Sequence, residues 1–394
     1  MASQTTIFKQ FNELNKKIDS VSRDDISTPM ECVQKMLDYI PAEFWNRKKI
    51  SILDPCCGNG NFGAYCAFKT NLKNIHFNEL NQTRFTNCKK LLNPDEITNL
   101  DAFKIFNGTR KYDLIMGNPP YSGGGNKNKS LSNRFIEGAI EILNDQGYLC
   151  FITPNNWMSF NNNNTTLAKL LAQGQFIVID HDCKKYFPQV GSSFAILVWQ
   201  KTQKPQITRV FNNFLIKDYQ EVSIPKTVKF LPLYLSQPVL NIVSKTVSGQ
   251  RNQFHYRCDL HNFTKRNYLS DHQDQLYQYE TIHTARKTRY ATFKQEIYNQ
   301  YLIIIPLSTY FLPYIKHHVN VTQSVGYLAF PTKKAAQAYL EKLNQDHIKV
   351  LVHLTRYGNF NNTKLLKHLI FDQEILFSEN EIAIIKKLRN LIKY

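Results

Sequence analysis

Between Ile50 and Trp199, short apolar runs alternate with helical segments, and this alternation limits what the chain can fold into more than any other feature. Six runs read as strands: Ile50–Leu53, Ile75–Phe77, Tyr112–Met116, Gly147–Ile152, Phe176–Asp180 and Ser193–Trp199. Segments such as Asn133–Leu143 lie between them. There Phe135, Ile136, Ala139, Ile140 and Leu143 form a helical stripe. Strands joined by helices pair in parallel and need cover on both faces, which predicts a doubly wound, mostly parallel α/β sheet. The Ser193–Trp199 run can join it as an antiparallel addition. Ahead of the sheet, Phe8, Phe11, Leu14 and Ile18 recur at helical spacing. Asp24–Pro29 then reads as a turn and helix start, followed by a helix with Val33, Met36, Leu37 and Ile40 on one face.

Charge divides the chain. Lys and Arg number 49 against 31 Asp and Glu, a net +18. Residues 1–200 carry 22 basic and 18 acidic groups, and the rest carry 27 and 13, so the halves stand at +4 and +14. This predicts a chemical domain over 1–202, a Lys201–Pro205 linker, and a basic, polyanion-binding domain over 207–394. At 42% hydrophobic and 13% aromatic, the chain is neither disordered nor fibrous. No apolar run approaches the ~20 residues of a membrane span, and the N-terminus lacks the pattern of a secretory signal. Eight cysteines with no CxxC pair give no zinc spacing; no metal is expected, and a cytoplasmic location with reduced thiols is.

Two stretches carry chemistry. Asp54-Pro55-Cys56-Cys57-Gly58-Asn59-Gly60 directly follows the first strand, and Gly58, Gly60 and Gly63 have GxGxxG spacing. A glycine-rich turn at a strand's carboxyl end lets a ligand approach bare backbone. Glu79, at the end of the second strand, can accept hydrogen bonds from both hydroxyls of a ribose. These features alone leave a dinucleotide and another adenosine-bearing cofactor equally open. The second stretch is Asn118-Pro119-Pro120-Tyr121, after the strand Asp113–Met116. The Asn118 amide oxygen and the Pro119 carbonyl can accept hydrogen bonds on a rigid backbone, and Tyr121 offers a stacking face. A flat, amino-bearing ring is the matching substrate.

With these residues the chain resembles the S-adenosylmethionine-dependent amino-methyltransferases, in particular DNA adenine N6-methyltransferases of the gamma arrangement. The resemblance covers roughly residues 22–202. It implies a class I methyltransferase, Rossmann-like domain followed by a C-terminal α+β DNA-recognition domain. It also implies S-adenosylmethionine as cofactor, double-stranded DNA as partner, a flipped target base and a place in a restriction–modification system. The protein is expected to be a monomer or weak dimer. By the same resemblance Thr28 contacts the methionine end, Asp54, Cys56, Gly58 and Gly60 form the methionine-binding loop, and Glu79 holds the ribose. Asp101 accepts from the cofactor's adenine, with Phe103 packing on it. Phe187, next to Tyr186, stacks on the flipped base with Tyr121.

For DNA contacts the sequence offers Lys127 and Lys129 in a glycine-rich insert, Arg286, Lys287 and Arg289 in the most basic stretch, and Arg356. Other readings share parts of the pattern. RNA adenine methylation uses the same chemistry and charge, and protein glutamine N5-methyltransferases also carry Asn-Pro-Pro-Tyr. Cytosine N4 enzymes usually have Ser where Asn118 stands. An inactive DNA-binding subunit would not need an intact tetrapeptide beside an intact glycine loop.

Overall fold

The computed structural model describes residues 4–19, 27–121, 131–160, 164–188, 193–211, 218–252, 255–260, 266–308, 310–357, 360–371 and 373–392. The chain forms two compact units. One comprises Met1–Met158 and Asn162–Lys229, the other Ser159–Asn161 and Phe230–Tyr394.

The first unit is built on one sheet. Its strands are β1 (Ile52–Asp54), β2 (Ile75–Asn78), β3 (Glu96–Thr98), β4 (Tyr112–Gly117), β5 (Leu143–Pro154), β6 (Gln175–Asp180), β7 (Phe194–Gln200), β8 (Thr208–Phe211) and β9 (Tyr219–Val222). They lie in the order β3-β2-β1-β4-β5-β7-β6-β8-β9. Pairing is parallel from β3 through β5. Strand β7 inserts antiparallel between β5 and β6, as the sequence allowed. From β1 the chain steps to β2 and β3 on one side and to β4 on the other, so the order reverses between β1 and β4. A crevice opens at such a reversal beyond the strands' carboxyl ends.

Helices cover the sheet. In α1 (Gln4–Asp19) and α2 (Met30–Asp38), Phe11, Val33, Met36 and Leu37 join a core with Leu114, Met116, Cys150, Ile152, Ile196 and Val198. The strand residues of that core alternate along β4, β5 and β7, as one face of a pleated sheet requires. Helices α4 (Asn61–Cys66) and α5 (Gln82–Leu92) feed the same core. Helix α3 (Ala42–Trp45) is a short link. Helices α6 (Ala102–Phe106), α7 (Leu131–Glu141) and α8 (Thr165–Gln173) form a second layer, where Phe103, Phe106 and Phe135 meet edge to face.

The linker read at 201–205 lies inside this unit. Lys201 N–H donates to the Gly147 carbonyl at 2.9 Å, and the chain goes on to β8, which pairs in parallel with β6. The division therefore falls at 229/230, beyond the 202–207 expected from charge and composition.

The second unit is α+β. One sheet has the order β10-β12-β11-β15, from β10 (Leu269–Ser270), β12 (Lys287–Ala291), β11 (Tyr279–Thr284) and β15 (Asn320–Val321). Another has β13 (Tyr301–Pro306) between β14 (Tyr314–His317) and β16 (Val325–Phe330). Ile282, Leu302, Ile304, Val321, Val325 and Tyr327 form its buried centre. Helices α9 (Gln237–Thr246), α10 (Lys333–Leu343), α11 (Asp346–Leu354) and α12 (Glu379–Leu391) complete it. No described helix is long and apolar enough to cross a membrane.

Candidate active site

The glycine turn after β1 is held by its neighbours' strand ends. Cys57 N–H donates to the Asn78 carbonyl at 2.9 Å, and Gly60 N–H closes the turn on the Cys57 carbonyl at 2.8 Å. Gly58 and Gly60 have φ of +57° and +98°, in the left-handed region that glycine enters without strain. A Cβ at Gly58 would point into open space, whereas one at Gly60 would come within 2.6 Å of Leu92 Cδ1. Gly60 thus seats α4 against α5, and Gly58 keeps the rim of the turn bare.

Three acidic residues surround that turn. Asp54, the last residue of β1, is fully buried. Its Oδ1 accepts weakly from Cys56 N–H at 3.4 Å, and its Oδ2 has no partner. Burial pushes its carboxyl well above the usual range, with the nearby Glu79 charge adding to this and the Cys56 N–H opposing it. Glu79 follows β2 and accepts from Gly58 N–H and Asn81 N–H, each at 2.8 Å. These bonds fix its orientation beside the turn. Asp101 caps α6, accepting from Phe103 N–H at 3.0 Å, and stays exposed. Phe103 is half-buried under the Arg134 guanidinium, 4.1 Å from its ring centre. Thr28 is buried, and its carbonyl accepts from Asn61 Nδ2 at 2.7 Å, which ties the start of α2 to the start of α4.

Strand β4 delivers the proline tetrapeptide beside this turn. The register Ile52↔Leu114 and Leu53↔Ile115 brings Gly117 alongside Asp54. A Cβ at Gly117, whose φ is +151°, would stand 3.2 Å from Asp54 Oδ1. Asn118 comes next, and its Oδ1 is buried without a hydrogen-bond partner. An unpaired buried acceptor costs roughly 1–3 kcal/mol, which a bound donor would recover. Tyr121 lies against the core, where burial raises its phenol. Its ring and that of Phe187 both meet Phe194, at 6.5 Å and 5.3 Å between centres. Phe187 itself is buried, edge-on to Phe194.

The structure therefore gathers Thr28, Asp54, Cys56, Gly58, Gly60, Glu79, Asp101 and Asn118–Tyr121 around the carboxyl ends of β1 to β4. Lys127 and Lys129 lie outside the described residues. Arg286, Lys287 and Arg289 sit on the β11–β12 hairpin of the second unit, where Asp271 pairs with Lys287 at 3.0 Å and Arg289 at 2.7 Å. Arg356 follows α11 and lines a small cavity with Lys349 and His353. Among the described residues, no group of three or more His, Cys, Asp or Glu could hold a metal ion.

Two contributors went unread in the sequence. Gly117 allows the approach of Asp54 to the β4 end. Asn78 donates from Nδ2 to the Pro55 and Leu100 carbonyls, both at 3.0 Å, and so ties together the loops after β1 and β3. Nothing in Ile75-His76-Phe77-Asn78 marked Asn78, whose burial comes from the pairing of β2 with its neighbours.

Residues 60–187 match the model of the family described as Eco57I restriction-modification methylase. The modification methylase CviBIII of Paramecium bursaria Chlorella virus NC1A is 34% identical over a match covering 38% of this chain and 42% of that protein. An adenine-specific methylase of Mycoplasma pneumoniae is 24% identical, over 48% of this chain and 70% of that one. The type II methyltransferase M.VspI of a Vibrio species is 25% identical, over 39% and 42%. The chain thus spans less than half the length of two of these three relatives. Among solved structures, the type IIL restriction-modification enzyme MmeI in complex with DNA superposes with a TM-score of 0.53 at 10% identity, covering 98% of this chain and 69% of that one. The DrdV–DNA complex gives 0.52 at 12% identity, over 93% and 57%. The fold is the mixed α/β arrangement that the sequence predicted, a mostly parallel sheet with an antiparallel β7, followed by an α+β unit.

Proposed function

We propose that this chain, which carries an Eco57I-type restriction-modification methylase domain, methylates the N6 amino group of adenine in double-stranded DNA. The observation that carries the reading is the buried, unpartnered Asn118 Oδ1 at the end of β4, next to the glycine turn after β1. The names of the relatives and the DNA complexes among the structural neighbours favour the same substrate. The modification role in a restriction system belongs to the proposal.

The residues fit S-adenosylmethionine. Gly58 leaves open space at the turn, Asp54 Oδ2 and Asn59 Nδ2 are buried without partners, and Glu79 is oriented by the Gly58 and Asn81 N–H groups. Thr28, Asp54 and the Cys56–Gly60 turn would hold the methionine part, Glu79 the ribose, and Asp101 with Phe103 the adenine. When bound, that cofactor supplies an electrophilic sulfonium methyl. The chain's own task is to prepare the nucleophile. An exocyclic purine amine is weak because its lone pair is delocalised into the ring. Asn118 Oδ1 and the Pro119 carbonyl each accept one amino hydrogen, draw the nitrogen toward tetrahedral geometry and localise that lone pair. This is catalysis by positioning and electrostatics. An adenine stacked in a duplex cannot reach these acceptors, so it must be turned out at a cost of a few kcal/mol, offset in part by stacking on Tyr121 and Phe187.

The test offers labelled S-adenosylmethionine with duplex DNA, RNA and protein in parallel. Label is expected in adenine of duplex DNA, and Asn118→Ala is expected to reduce transfer by at least 100-fold (on the order of 3 kcal/mol for a lost transition-state acceptor). Label appearing only in RNA or only in protein would replace this reading.

A further inference from the structure

We infer that Asn155 is a second contact to the extruded base, a specificity-determining residue that donates from Nδ2 to a ring nitrogen of the purine. The inference rests on the function proposed above and names a further residue of the same site.

Asn155 is the first residue beyond β5, as Asn118 is the first beyond β4. The two strands are parallel neighbours, with Gly117 paired to Phe151. Asn155 is about 1% exposed, and neither Nδ2 nor Oδ1 has a hydrogen-bond partner. Its backbone is fixed, since its N–H donates to the Ser193 carbonyl at 3.2 Å. The preceding residue, Pro154, pairs with Phe194, whose ring meets both Tyr121 and Phe187. The amide is therefore held at the same sheet edge as the aromatic group assigned to the base.

A wholly unsatisfied buried amide is rare in a folded protein and costs stability. An apolar side chain of the same size would serve packing better. The position gains from an amide only if a polar partner arrives, and Asn118 Oδ1 lacks a partner at the next strand end. In the proposed mechanism Asn118 and Pro119 use both hydrogens of the purine's amino group. What remains on the ring is a set of acceptor nitrogens, and Asn155 Nδ2 supplies the donor that matches one.

The experiment uses the full chain on a duplex bearing its own target, identified by sequencing of modified adenines in an expressing host. The target adenine is replaced in turn by its 1-deaza, 3-deaza and 7-deaza analogues, each lacking one ring acceptor. Wild type is expected to lose about tenfold in kcat/KM on one analogue, the scale of one hydrogen bond to a buried donor. Asn155→Leu is expected to show a similar loss on adenine and no further loss on that analogue. Its melting temperature is expected to be equal to or above that of wild type, because two unsatisfied atoms are gone. Asn155→Gln, which keeps the donor on a longer arm, is expected to recover part of the discrimination. If Asn155→Leu discriminates among the analogues as wild type does, the inference is overturned while the function stands. If wild type methylates no DNA, the function reading falls and Asn155 with it.

Discussion

Gly58 and Gly60 share one turn, yet substitution acts on them through different physics. Alanine at either must hold a left-handed φ, which costs on the order of 1–2 kcal/mol. At Gly60 the new methyl also pushes Leu92 and Cys88, so Gly60→Ala should lower thermal stability by about 2–3 kcal/mol. At Gly58 it meets only open space, so Gly58→Ala should cost about 1 kcal/mol of stability and show its larger effect on cofactor affinity. Denaturation and calorimetric titration of both variants check the contrast. His181, directly after β6, gives a pH signature. Burial pushes its imidazole down to about 4 against the nearby Asp180 charge, and Nε2 has no partner. Its folded pKa is depressed, so its contribution is present above the ordinary value near 6.5 and is lost as pH falls toward 4. Melting temperature should drop across that window, and His181→Phe should flatten the drop. Most of the site's residues were legible because each followed a recognisable strand. Gly117 was not, because its role depends on a carboxylate 63 residues earlier in the chain that only strand register brings near.

At the scale of elements, the position of α2 is held electrostatically. Asp180, at the end of β6, is fully buried; it accepts from Tyr39 Oη at 2.9 Å and pairs with Lys35 Nζ at 2.7 Å. Lys35→Met would leave that carboxylate with two neutral donors, the Tyr39 hydroxyl and the Asp182 N–H at 2.8 Å, and no close cation. A cost of about 3–5 kcal/mol is expected, and Asp180→Asn in the same chain should return much of it. Because Thr28 lies two residues before α2, the single variant should weaken cofactor binding as well. Denaturant titration of both singles and the double measures the coupling. Strand legibility followed burial. Apolar runs such as Leu114–Met116 and Ile196–Trp199 became central strands. The edge strand β3 has one apolar residue in Glu96-Ile97-Thr98, is half-buried throughout, and gave no run to read. Strands β8 and β9 escaped because each mixes two polar residues with two apolar ones and gives no apolar run, which is why the Lys201–Pro205 stretch read as the end of a domain.

For the whole molecule, the charge asymmetry was plain in the sequence, but the faces that carry it were not. The β11–β12 hairpin shows why: Arg286 is exposed, whereas Lys287 and Arg289 share Asp271. Those two cations hold the Asp271 carboxyl below its usual range, so it remains charged and engaged at neutral pH. Phosphate must therefore compete with an internal partner for two of the three cations on this hairpin. Duplex binding should weaken steeply between 50 and 200 mM salt, as expected when several phosphates are neutralised. Replacing Arg286, Lys287 and Arg289 together with Gln should lower the slope of log Kd against log salt by up to about 2–3, near one per lost phosphate contact. Asp271→Asn should act the other way, tightening binding to any duplex and steepening the slope, because the freed cations gain affinity that carries no sequence information. Fluorescence anisotropy on target and non-target duplexes reads both effects. An unchanged slope in the triple variant would remove the hairpin from the DNA interface, and an unchanged slope in Asp271→Asn would show that its ion pairs do not compete with phosphate.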